Sequence, residues 1–209
     1  MDQLAFPFRL SVAVAAFALT LAASAQQGAP KAEWVDKSPA AATAGSESQL
    51  ARADVAFLNQ AAENGHAEVE ASKLALSKAS SSQVKSFAQQ MVDDHTKAGD
   101  ELASLAESKG VKVSSSPSLT QKSKLKLLSA LDGQNFDKRY AKTIGVAALE
   151  DSVKLFQKAA NEAKDADVKA FAARTLPTLQ HHLEMAKELK SATGEMSAKA
   201  TTSDAKQQP

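Results

Sequence analysis

Four stretches of about 27 residues each carry apolar side chains at the 3.6-residue period of a helix. No convincing period-two alternation, the mark of a half-buried strand, occurs anywhere in the chain. This pattern confines the chain to an all-α fold. The segments run from about Leu50 to Ala79, Gln83 to Lys109, Asn135 to Lys164 and Ala166 to Ala192. Their apolar stripes are led by Leu58, Ala62 and Val69 on the first, and by Phe87, Met91, His95 and Leu102 on the second. Leu149, Val153 and Phe156 lead the third, and Phe171, Leu179, His182 and Ala186 the fourth. Each segment makes a helix about 40 Å long at 1.5 Å per residue. Gly110 is placed to stop the second helix, and Pro177 falls in mid-course of the fourth, where the lost backbone bond is expected to kink it.

The joints decide the topology. Ser80–Ser82 and the residues around Asp165 are short, so each flanking pair of helices folds back as an antiparallel hairpin. From Val111 to Gln134 the joint is long enough to run the length of the bundle, and it carries a short amphipathic piece from Leu119 to Leu131. The expectation is a ferritin-like four-helix bundle: two helical hairpins joined by a long crossover containing a short helix, with the second helix parallel to the third. An internal repeat agrees. Gln83-Val84-Lys85-Ser86-Phe87-Ala88 recurs as Asp167-Val168-Lys169-Ala170-Phe171-Ala172, an offset of 84, and the same offset pairs Val69 with Val153. Two related hairpins about a pseudo-twofold axis fit that pattern.

The chain of 209 residues divides into a signal peptide at 1–25, a flexible lead at 26–48, the helical domain at 49–192 and a disordered tail at 193–209. Arg9, the apolar run Leu10–Ala22 and the small residues Ala23-Ser24-Ala25 have the layout of a secretory signal, with cleavage expected after Ala25. No other run is long enough to span a bilayer, so the mature chain is expected to carry no integral membrane segment. Trp34 is the one large apolar residue of the lead.

Composition removes whole classes of chemistry. There is no cysteine, which excludes disulfides, thiolate catalysis and thiolate metal sites. The eight glycines are scattered, so neither a P-loop nor a dinucleotide fingerprint can form. Twenty-five basic against 24 acidic residues give a net charge of +1, which argues against a nucleic-acid partner. No Gly-x-Ser-x-Gly elbow is present, and Ser80-Ser81-Ser82 reads as a capping joint. No catalytic or cofactor-binding residue is assigned.

What chemistry remains is histidine and carboxylate. His95 and His182 lie in the middle of their stripes, and Glu68 lies on the inward flank of the first helix. Glu68, His95 and His182 are therefore the candidate ligands for a divalent metal, with Asp94 on the flank of the second helix. A carboxylate-bridged di-iron centre is excluded: it needs Glu three residues before each His, and here Val92 and Leu179 hold those places. The competing expectation is a hydrogen-bonded core pair without a tightly held metal, its partners being Glu68, Thr175 or backbone. His66 and His181 fall on polar sides, and the Lys122, Lys124 and Lys126 run reads first as a solvated face.

The stretch Phe87-Ala88-Gln89-Gln90-Met91-Val92-Asp93-Asp94-His95-Thr96, with Phe136-Asp137-Lys138-Arg139-Tyr140, Leu176-Pro177 and His181-His182-Leu183, resembles the domain-of-unknown-function 4142 family. The resemblance covers about Ala53 to Leu189. It implies an exported bacterial protein with a ferritin-like four-helix fold, located in the periplasm or at the outer membrane. The family pattern places a further histidine four residues before a Val-x-Leu-Phe stretch. Here that stretch is Val153-Lys154-Leu155-Phe156 and the matching residue is Leu149. Three readings follow: an exported non-enzymatic bundle with a binding or envelope-maintenance role, a metal-binding or redox bundle, and a peripheral envelope-surface protein using the linker helix. The missing catalytic motifs favour the first.

Overall fold

The computed structural model describes residues 50–204. The expected signal peptide and lead, Trp34 included, lie outside them. Four bundle helices are present: α1 (Arg52–Lys78), α2 (Ser82–Ser108), a third made of α4 (Gly133–Tyr140), a π-helical segment (Ala141–Ala148) and α5 (Leu149–Glu162), and α6 (Ala166–Asp204). The short crossover helix α3 (Leu119–Ser129) lies between α2 and α4. No strand occurs among the described residues.

Local chemistry sets the ends. Gly110, at φ +68°, ends α2 in a Schellman motif: its N–H donates to the Glu107 carbonyl and the Val111 N–H to the Ala106 carbonyl. α3 opens on a capping box in which the Ser118 hydroxyl accepts from the Gln121 N–H while the Gln121 side chain accepts from the Ser118 N–H. α6 continues through Pro177 to Asp204. Thr193 is buried, and its hydroxyl bonds back to the Leu189 carbonyl.

Ends that meet across the bundle give the topology. Asp54, at the start of α1, accepts hydrogen bonds from the backbone N–H groups of Lys164 and Asp165, at the end of α5. At the other end, Asp137 of α4 accepts from the N–H groups of Ser80 and Ser81, after α1. So α1 is antiparallel to the third helix as well as to α2, and α2 runs parallel to the third helix. Lys109, ending α2, pairs with Asp165 and Asp167, which begin α6, so these two are antiparallel. This is the crossover bundle expected from the joints.

The same contacts display the pseudo-symmetry at atomic level. The joint donors Ser80 and Ser81 stand 84 residues before Lys164 and Asp165. Both carboxylates that receive them, Asp54 and Asp137, are buried. Ser81 and Asp165 are equivalent caps, accepting from the N–H groups of Val84 and Val168. Of the sequence stripes of α1 and α5, Leu58, Ala62, Leu149 and Phe156 are buried, while Val69 and Val153 are half-buried. α1 buries Ala61, Glu68, Ala71 and Ala75, while Val69 and Leu76 are only half-buried. Small alanines let α2 approach closely, a preference that a search for large apolar residues passes over. In the third helix the π segment winds more residues per turn than an α-helix and so shifts the phase of everything after it.

Candidate functional site

One chain of hydrogen bonds crosses the bundle. Gln121 of the crossover helix donates to the Asn64 side-chain oxygen at 2.8 Å, and Asn64 donates to Ser152 Oγ at 3.5 Å. Ser152 donates to Glu68 Oε1 at 2.8 Å. Glu68 Oε2 lies 2.9 Å from His95 Nδ1, His95 Nε2 lies 3.3 Å from His182 Nδ1, and His182 Nε2 lies 2.8 Å from Asp94 Oδ2. Glu68, Ser152, His95 and His182 are all buried, whereas the Asp94 side chain is 40% exposed. Five elements contribute, so the chain exists only in the assembled bundle.

The tautomers follow from the partners. An ionised carboxylate only accepts, and a charge-assisted bond is shorter than a neutral one. The two short links are therefore His95 Nδ1–H to Glu68 and His182 Nε2–H to Asp94. Each ring then turns its other nitrogen to the 3.3 Å link between them, whose donor and acceptor depend on the tautomer. Burial in the core and the neighbouring His95 hold His182 below the ordinary histidine range, against the pull of Asp94. Nearby, burial pushes the Tyr140 phenol well up, and its hydroxyl pairs with Ser72 Oγ at 2.7 Å.

The candidate ligand set Glu68, His95 and His182 is brought together, but not around one point. Both Glu68 oxygens are engaged, and the carboxylate sits on the far side of the His95 ring from His182. Among the described residues no three His, Asp or Glu side chains form a cluster able to hold a metal. Thr175 is not a histidine partner; its hydroxyl bonds the Phe171 carbonyl. His66 and His181 are exposed. Asp54 is a second buried carboxylate of α1, at the joint.

Beside this chain lies a cavity of about 450 Å³. Glu68 and His95 form part of its wall, and the rest is mainly small or apolar, including Ala62, Leu102, Phe156 and Leu179. Gly65 of α1 and Gly99 of α2 also line it, and a Cβ added at either would meet nothing within 4 Å. Gly145 contrasts with them: a Cβ there would come 3.1 Å from Ala186 Cβ, so close helix packing accounts for it.

Ser152, Asn64, Gln121 and Gly99 did not stand out in the sequence, whereas Gly65 falls on the apolar stripe of the first helix. Two signals were available: Ser152 is the offset-84 mate of Glu68, and glycines in mid-helix cost stability.

The family model for a domain of unknown function, DUF4142, matches residues 39–189. No curated protein matches the chain. Among solved structures, the crystal structure of a DUF305 fragment from Deinococcus radiodurans has a similar fold: TM-score 0.59 at 11% identity, covering 70% of this chain and 98% of that one. No helix of the described residues is long and apolar enough to cross a membrane. With a family model matching from the lead through to the end of the bundle core, the chain belongs to the DUF4142 family.

Proposed function

We propose that this protein is an exported, non-enzymatic binding protein whose bundle holds a small, largely apolar molecule in the cavity beside Glu68 and His95. The observation that carries the reading is the cavity itself, about 450 Å³ with largely apolar walls and the buried Glu68–His95 pair on one side. Gly145 is required by a neighbouring helix. Gly65 lines the cavity and Gly99 is exposed at it, and neither position is filled by a neighbouring side chain. Apolar walls with a few convergent polar groups are the usual make-up of a small-molecule site. The Glu68–His95 pair supplies the polar end, where a ligand hydrogen-bond donor finds an acceptor.

Export rests on Arg9, the Leu10–Ala22 run and Ala23-Ser24-Ala25. Mass spectrometry of the mature protein is expected to find Gln26 at the N-terminus; an unprocessed chain held in the inner membrane would contradict export. The binding reading is tested with a fluorescent apolar probe. Saturable one-to-one binding is expected in the parent, with affinity reduced at least tenfold in Gly65→Leu and Gly99→Leu variants that melt no lower than the parent. Equal probe binding in parent and variants would overturn it.

A further inference from the structure

His95 Nε2 and His182 Nδ1 lie 3.3 Å apart, the one link in the polar chain made by two ring nitrogens facing each other. Both rings are buried, and His95 borders the cavity. Each ring also has its other nitrogen tied to a carboxylate, Glu68 for His95 and Asp94 for His182. A metal-bound histidine characteristically donates its second ring N–H in this way, which fixes the tautomer and raises the basicity of the ligating nitrogen. The distance suits the chemistry too. Two metal–nitrogen bonds of about 2.0–2.1 Å that meet near the tetrahedral angle place their nitrogens about 3.3 Å apart.

We propose that His95 Nε2 and His182 Nδ1 form a two-nitrogen seat for a tetrahedral, imidazole-seeking cation of the zinc type, with Glu68 and Asp94 as the outer carboxylates that aim the two rings. The lone pairs of these two nitrogens become the metal–nitrogen bonds, and in these tautomers no proton is displaced. Glu68 thereby changes role from the ligand expected from the sequence to a positioning residue behind His95. Ser152, which donates to the other Glu68 oxygen, holds that carboxylate in turn. No third His, Asp or Glu joins the pair among the described residues, so water or a cavity molecule completes the coordination. The seat does not depend on the cavity reading, because its ligands are the rings and not the cavity walls.

Cobalt(II) is the probe, added to full-length mature protein purified without a histidine tag, followed by zinc competition. The expected result is a one-to-one complex with the intense visible absorption of tetrahedral cobalt, bleached by one equivalent of zinc. His95→Gln and His182→Gln are expected to abolish it while retaining the parent helical circular dichroism. Glu68→Gln and Asp94→Asn are expected to weaken affinity by about 10- to 100-fold. An absence of cobalt or zinc binding by the parent at millimolar metal overturns the seat, as does binding that survives both histidine substitutions. Should the histidine variants fail to fold, the two outer-carboxylate variants decide: unchanged affinity in both overturns the assignment. Probe binding in the cavity is measured on the same samples, so loss of one property is read separately from loss of the other.

Discussion

Asp54 and Asp137 hold the hairpins together at opposite ends of the bundle. Each is buried and accepts two backbone N–H groups from the joint of the other hairpin. Removing the acceptor strands those donors, so Asp54→Ala and Asp137→Ala are each expected to cost about 2 kcal/mol or more, measured by urea unfolding. The asparagine variants keep an acceptor and should lose less. His182 sets a pH dependence. Its folded-state pKa lies below the ordinary value of about 6.5, because burial and His95 disfavour the charged form. Below 6.5 the unfolded chain takes up a proton more readily than the folded one, so stability is full above 6.5 and falls as the pH drops towards the lower folded value. Asp94 opposes this shift, while His95 and His181 reinforce it. Unfolding curves between pH 7.5 and 5 should show the loss, and His182→Gln should remove that component; an unchanged profile in the variant would count against it.

Helices α2 and α6 were legible because their period is undisturbed. His95 and His182 are buried where their stripes put them. α1 and the third helix were legible as helices and in part of their buried face: Leu58, Ala62, Leu149 and Phe156 are buried, but Val69 and Val153 only half-buried. Much of the buried face of α1 is alanine, and the π segment Ala141–Ala148 breaks the regular phase in the third helix. In the π segment the third helix packs closely on α6, with Gly145 against Ala186. Gly145→Ala is expected to destabilise the protein by about 1–3 kcal/mol through overpacking. Ala186→Gly in the same chain should recover part of that cost, and a double-mutant cycle measures the coupling. Simple additivity of the two substitutions would contradict the contact.

At the scale of the molecule, two pseudo-symmetric hairpins build the frame, and the candidate site lies where the symmetry is broken. The offset that matches Ser81 with Asp165 as caps matches Glu68 with Ser152 and His95 with Leu179, so the polar chain has no counterpart in the other half. That asymmetry was hidden in the sequence, since which residues of a repeat face each other depends on packing between halves. Leu149, in the place of the family's further histidine, is wholly buried. Leu149→His is expected to cost about 1–3 kcal/mol as an unpaired polar group in a dry core. Binding of a small apolar molecule in the cavity beside Glu68 and His95 is tested most directly by titrating the parent and Gly65→Leu with a fluorescent apolar probe. Saturable one-to-one binding by the parent, weakened at least tenfold in the variant, is expected. Equal binding by both, or none by the parent, would contradict the cavity as a binding site.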